Sequence, residues 1–367
     1  NAQGGAYGNA LYIACSNGHD KIAQMLLERE ADVNAQGGNY GNALQAVCFG
    51  GHHKIAQMLL EQGADINAQG GFHENALQAA CSNEHDKIAQ MLLERGADIN
   101  AQGGFYGNAL QAACFRGHYK IAQMLLEQGA DVNAQGGFYG NALQAACFRE
   151  HDKIAQMLLE RGADVNAQGG NYGNALQATC SNEHDKIAQM LLERGADVNA
   201  QGGNYGNALQ DACFRGRHKI AQMLLERGAD VNAQGGNYGN ALQAACYNKH
   251  DKVAQMLLEQ GADVNAQGGA YGNTLYTACY NGHDKVAQMM LERGADINAQ
   301  GGFYGNALQA ACFRGHHKIA QMLLERGADV NAQGGAYGNA LYIACSNGHD
   351  KITQMLLERE ADVNAQG

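Results

Sequence analysis

Histidine and cysteine are the side chains of this chain best suited to chemistry, 14 of the first and 11 of the second. Three or four of them converging on bonds of ~2 Å would hold a zinc ion. Their spacing argues against that use. Ten histidines, from His19 through His118 to His349, recur every 33 residues, with Arg217 standing in the one gap. Neighbours in such a row fall one structural unit apart, too far to share an ion. The adjacent pairs His52-His53 and His316-His317 do not face one another on a helix. The row reads as structural or capping. The cysteines keep the same interval, one per copy from Cys15 to Cys345. A disulfide needs Cα atoms within ~7 Å, whereas packed helices lie ~8–10 Å apart. The thiols are therefore expected to stay reduced and to pack as small apolar residues.

Other site-like patterns are incomplete. Asp32-Val33-Asn34-Ala35-Gln36-Gly37 resembles the first half of a calcium loop, but Ala43 stands where the bidentate glutamate is needed. Gly4, Gly5 and Gly8 lie close together without the Gly-Lys-Ser/Thr of a phosphate loop. No serine or cysteine comes with a histidine and an acid at the spacing of a nucleophilic site. An active site is a unique constellation, and a repeated chain offers none. We expect no enzyme, no metal and no cofactor.

The elements that position these rows follow from the period. The 367 residues hold eleven copies starting at 1, 34, 67, 100, 133, 166, 199, 232, 265, 298 and 331, with a partial copy at 364–367. One array over 1–367 is expected, its core continuous between neighbours. Apolar residues make up 46% and charged residues 17%, too apolar for disorder. The 50 glycines do not recur every third residue, which excludes a collagen helix. A net charge of −11 with no basic face argues against nucleic acid. No apolar run nears the ~20 residues of a membrane span.

Each copy predicts two short helices. Asn9 caps the first, whose face is Leu11, Ala14 and Cys15, and Gly18 ends it in most copies. Asp20 or its equivalent opens the second, with Ile22, Ala23, Leu26 and Leu27 facing inward. Gly63, Gly96 and Gly129 end it, although copy one has Glu30 there. Ala2-Gln3-Gly4-Gly5 reads as a tight turn. Neither helix is long enough to stand alone.

The pattern NALQAACxxGHxKIAQMLLExGADVNA closely resembles the ankyrin repeat, over all eleven copies. The resemblance implies an all-α solenoid of helix-turn-helix repeats joined by β-turn loops, curved and on the order of 100 Å long. It implies binding of a protein partner on a concave surface made of turn tips and first helices. The family's Thr-Pro-Leu-His is replaced by Asn9-Ala10-Leu11-Tyr12, and by Asn-Ala-Leu-Gln in most copies, so Gln111 and its equivalents are expected to take over the histidine's hydrogen bonds. The wording NAQGGxYGNALQAAC further resembles the ankyrin regions of fungal NACHT-type receptors, which implies the sensor region of a larger intracellular protein.

Differences between copies fall in few columns, chiefly those of Ala6, Tyr12, Ile13, Ser16, Asn17, Gly18 and Asp20. All nine phenylalanines lie in two of them. Alternation with serine and asparagine implies solvent exposure, and exposed aromatics beside arginine favour an interface. The candidate partner-binding residues are Phe72 in copy three, Phe105, Phe115, Arg116 and Tyr119 in copy four, and Phe138, Phe148 and Arg149 in copy five. Phe214 and Arg215 in copy seven join them, with Phe303, Phe313 and Arg314 in copy ten. The competing reading packs these rings against the next turn. The Tyr7 column, broken only by His73, reads as structural.

Asn1 is not a methionine and Gly367 falls inside a motif, so both ends read as cut. The end copies differ only at Ala23 and Thr353, and neither is a polar cap. They are expected to expose Leu11, Ile22 and Leu356, and either to belong to a longer protein or to associate head to tail. The unpaired thiols imply a reducing, cytoplasmic setting. The functional expectation is a non-enzymatic recognition array. The alternative is a scaffold, or a consensus-like array without a specific ligand.

Overall fold

The computed structural model describes residues 8–182, 184–269 and 272–364. It divides into two compact units, Asn1–Ala196 and Asp197–Gly367. Every copy contributes two helices, as expected, and the described residues form no extended strand. In copy four the first helix is Ala109–Arg116 and the second is Tyr119–Glu127.

The first helix starts where its asparagine places it. The Asn108 side chain accepts the N–H of Gln111 at 2.8 Å. At Asn42, Asn207, Asn240 and Asn306 the glutamine answers by accepting the cap's own N–H, a full capping box. Left-handed residues end it: Gly51, Gly117, Gly282 and Gly315 in some copies, but Glu84, Glu150 and Lys249 in others, where a side chain makes that backbone costly. The second helix has no side-chain cap, so its histidine does something else. Its outer face is tied by glutamine-to-glutamate bonds one turn apart, such as Gln57 to Glu61 at 2.8 Å.

The core is wider than the sequence pattern indicates. The first helix is buried on every side, including Ala109, Gln111 and Ala112 beside Leu110, Ala113 and Cys114. The second buries Ile121, Ala122 and Leu125 and leaves Leu126 half-exposed. Complete burial of one leucine or isoleucine is worth ~1.5–3 kcal/mol. Ten of the eleven cysteines lie inside, and burial pushes the Cys15 thiol up to about 12. Cys345 is exposed.

Polar bonds run from each copy to its neighbour within a unit. Gln111 Nε2 donates to the carbonyls of Ala134, Gly136 and Gly140 at 3.4, 3.1 and 3.0 Å, so the glutamine does pin the next copy's turn. That turn is closed by a bond such as Gly136 N–H to Gly140 carbonyl at 2.7 Å. Gly137 has a φ of +64°, and a side chain there would collide with the backbone of Tyr106 and Gly107. The equivalent turn of copy one, with Tyr7, lies outside the described residues. On the exposed edge Asn100 accepts the N–H of Asp131 at 2.9 Å. The histidine row reaches backward: His151 Nε2 donates to the carbonyl of Phe115 at 3.1 Å, and His250 to that of Phe214 at 3.0 Å. Each thus satisfies the end of the preceding first helix.

Two expectations about the ends need correction. Leu11 and Leu356 are buried, because their own copy and the one neighbour each retains cover them. Ile22 is exposed as expected, joined by Ile13 and Met25 in copy one and by Tyr342, Leu357 and Val363 in copy eleven.

Candidate functional site

The turns and the ends of the first helices bring the variable columns together as two rows of rings. The inner row alternates the turn tyrosine with the ring that follows the cysteine. In the first unit Phe115 lies between Tyr106 and Tyr139, at 5.6 and 4.7 Å between centroids. Phe148 lies between Tyr139 and Tyr172 at 5.2 and 4.8 Å. In the second unit Phe214 sits between Tyr205 and Tyr238 at 4.8 and 4.5 Å. Phe313 stacks on Tyr304 at 3.8 Å. These separations are those of attractive ring pairs. The phenylalanines of this row are half-buried, and Tyr106 and Tyr139 are buried outright. Burial pushes the Tyr139 hydroxyl up to about 12.

The outer row stands edge-on above those tyrosines. Phe105 meets Tyr106 at 5.3 Å with an interplanar angle of 81°, and Phe138 meets Tyr139 at 5.0 Å and 72°. The two outer rings stack on each other at 5.3 Å and remain 41% and 37% exposed. Phe72 stands against His73 and Phe303 against Tyr304 in the same manner, both open to solvent. Arginines flank the rows. Arg149 lies over Phe115 at 4.9 Å, Arg116 over Tyr106 at 5.9 Å, and Arg314 over Tyr280 at 4.3 Å.

The structure therefore groups Phe105, Phe115, Arg116, Phe138, Phe148 and Arg149 on one face of the first unit, and Phe303, Phe313 and Arg314 on one face of the second. Phe72 lies along the first face through His73. Tyr119, exposed at the start of its helix, is not among the stacked rings.

Two local features were not anticipated. In copy three the inner row loses its phenylalanine. Ser82 takes that place, 3.4 Å from Nδ1 of His73, which itself replaces the tyrosine. His73 is buried, and burial, aided by the charge of Arg116, pulls its pKa down to about 4. In copy seven Asp211 replaces a small residue and is buried, with Arg215 Nε donating to its carboxylate at 2.7 Å. Burial raises Asp211 to about 6 even though Arg215 and Arg217 oppose it. An acid in that column with an arginine four residues on was the available cue.

The described residues contain no group of three metal-binding side chains and no helix long and apolar enough to cross a membrane. A family model described as ankyrin repeats (3 copies) matches residues 11–103, 46–136, 102–169, 144–235, 234–301 and 275–367. Among solved structures, the chain is similar to the crystal structure of the human ASB11 ankyrin repeat domain, at 26% identity and a TM-score of 0.52. That likeness covers 60% of this chain and 99% of the other. No curated protein matches the sequence.

Proposed function

The chain belongs to the ankyrin-repeat family, and on that premise we propose that it is a non-enzymatic recognition array whose aromatic face docks a protein partner. Ankyrin repeats generally mediate protein–protein interaction. The observation that carries the reading is the pair Phe105 and Phe138. Two large rings held against solvent by a stacked row beneath them are preorganised, so a partner that covers them loses little side-chain entropy. Arg116 and Arg149 beside them supply charged donors of the kind enriched in binding hot spots. This face takes the place of the family's concave surface, and Phe303 with Arg314 offers a second patch of the same chemistry.

The array is the ligand-sensing region of a larger intracellular signalling receptor, of the fungal NACHT type that the wording of its repeats resembles. Eleven unpaired cysteines, ten of them buried and Cys345 exposed, support a reducing compartment. A scaffold without a ligand would not need rings on the outside of a row that is already packed.

Affinity capture from a cell extract tests the reading. The parent is compared with a Phe105→Ser, Phe138→Ser variant whose melting temperature stays within a few degrees. Loss of one captured protein, at about 30-fold or more for a hot-spot contribution of ~2 kcal/mol, supports it. Equal capture by both discards this face and favours the scaffold.

A further inference from the structure

The edge where each first helix gives way to its second carries different charge in the two units. In the first unit acids offset Arg116 and Arg149. Glu84 faces His118 at 3.7 Å and Glu150 faces His184 at 3.3 Å, while Asp86, Asp152 and Asp185 open the second helices of copies three, five and six. In copies seven to ten of the second unit the same edge is basic. Arg217, Lys249 and Arg314 stand in its loops, and His218 and His317 replace the opening aspartate of copies seven and ten. The lysine that follows in every copy adds to them. The carboxylates of this stretch are engaged within the protein. Asp211 is held by Arg215 at 2.7 Å, Asp251 by Nδ1 of His283 at 2.7 Å, and Asp284 accepts the N–H of Lys285 at 2.9 Å.

These cations lie close enough to act together. Burial is the main cause that lowers the pKa of His316, and the charges of Lys249, two copies earlier, and of Arg314 add to it. Arg217 adds in the same way to the lowering of His250. Lys249, Arg314 and His317 are exposed. Arg314 is steadied 4.3 Å over the ring of Tyr280, which leaves its planar fork ready for a carboxylate. Beside it Gly282, Gly315, His316, His317 and Lys318 line a cleft of about 280 Å³ together with Asp284 and Ile319.

We infer that the loop edge of copies seven to ten docks an acidic protein segment, rich in aspartate or glutamate. This deepens the reading above and rests on it for the partner being a protein. Charge complementarity selects the occupant: a basic strip on a chain of net charge −11 attracts an acidic segment to that strip alone. A nucleic acid suits it less well. The net charge repels a polyphosphate everywhere beyond the strip. Bases need an open ring face, and the rings next to this edge are stacked on one another, Phe214 on Tyr238 at 4.5 Å and Phe313 on Tyr304 at 3.8 Å.

Fluorescence anisotropy of the whole chain tests this with three labelled probes: an alternating Glu-Ser peptide, its Gln-Ser counterpart and a single-stranded oligonucleotide. The Glu-Ser peptide should bind at low salt and the Gln-Ser peptide should not. Raising salt from ~0.01 to ~1 M cuts the screening length from ~30 to ~3 Å and should abolish the binding. Lys249→Glu with Arg314→Glu should weaken it about tenfold or more. Both positions are exposed, and Lys318→Glu serves as a second variant if that pair fails to fold. The same reversal at Lys87 and Lys153 of the first unit should leave binding within about twofold. No binding of the Glu-Ser peptide overturns the inference. So does tighter binding of the oligonucleotide, or an equal loss from the first-unit reversals. A chain that still captures a protein through Phe105 and Phe138 but ignores the Glu-Ser peptide keeps the aromatic face and loses only this edge.

Discussion

Copies five and seven carry the same Phe-Arg pair after the cysteine and put it to different uses. In copy five Arg149 is exposed and lies over the ring of Phe115. In copy seven Arg215 is drawn onto the buried carboxylate of Asp211, although it still lies 5.2 Å from the centroid of Tyr205. The phenylalanines behave alike, each half-buried between two rings. One residue, a turn earlier on the same helix, decides whether the arginine belongs to a surface or to a core. A charge that is free to meet a partner is worth little to the fold, whereas removing the charge that faces a buried acid leaves that acid uncompensated and is costly.

The largest effect should come from breaking the buried pair on one side. Arg215→Ala leaves Asp211 without its nearest cation and is expected to cost about 3 kcal/mol in urea unfolding, the low end for a broken buried pair because the arginine is partly exposed. The double variant Asp211→Ala, Arg215→Ala should recover most of that. No recovery would mean that the arginine acts through packing.

The next effect depends on pH and sets Asp211 against His73. The folded pKa of Asp211 lies above its ordinary value of 3.8, at about 6, so the native state binds the extra proton and stability falls as pH rises between them. The folded pKa of His73 lies below 6.5, at about 4, so the unfolded state binds the extra proton and stability falls as pH drops through that window. Each slope amounts to roughly 2–3 kcal/mol, and the two oppose each other. His73→Tyr should flatten the acid loss, and Asp211→Ala should flatten the loss toward neutrality. Urea titrations at both ends of the window read the two separately. Parallel curves for parent and variant would remove that residue from the account.

Smaller still is the difference between the rows of rings. Phe115→Ser should lower stability by ~2 kcal/mol through lost stacking and burial, and Phe105→Ser by well under 1 kcal/mol. Equal thermal shifts would erase the distinction between support and surface. Smallest of all, Arg149→Ala should cost ~0.5 kcal/mol, the exposed cation–π contribution. A loss as large as that of Arg215→Ala would dissolve the contrast between the two copies.

Much of this was legible from the period alone. Asparagine caps, glycine stops, the cysteine row and most of the isoleucine and first leucine columns land where local rules put them, since each depends on residues within one turn, whereas the Leu27 column, expected inside, is half-exposed in most copies. The glutamine's reach to the next turn was anticipated from the place it takes. What resisted reading depends on the neighbouring copy. Phe115 and Phe148 alternate with serine and so look exposed, yet each finds a slot between tyrosines nine residues earlier and twenty-four later. Only stacking brings those together. Most of the row's histidines look like helix caps for their own helix and instead hold a carbonyl of the previous first helix, while His283 meets the carboxylate of Asp251. Leu11 and Leu356 were expected at the open ends, and a single neighbour suffices to cover them. The outer phenylalanines are exposed, as alternation in their column implied, although Phe105 and Phe138 still stack on each other.

The bonds between copies have a consequence for how such a chain changes over generations. Gln111 grips the turn after it, His151 the helix end before it and Asn100 the edge after it, and each grips backbone atoms that every copy of the pattern supplies. Slippage during replication that removes or adds 33 residues in register therefore rejoins complementary partners without a repair. What such an event alters is the order of rings and arginines along the face. The bonds that join one copy to the next stay as they were.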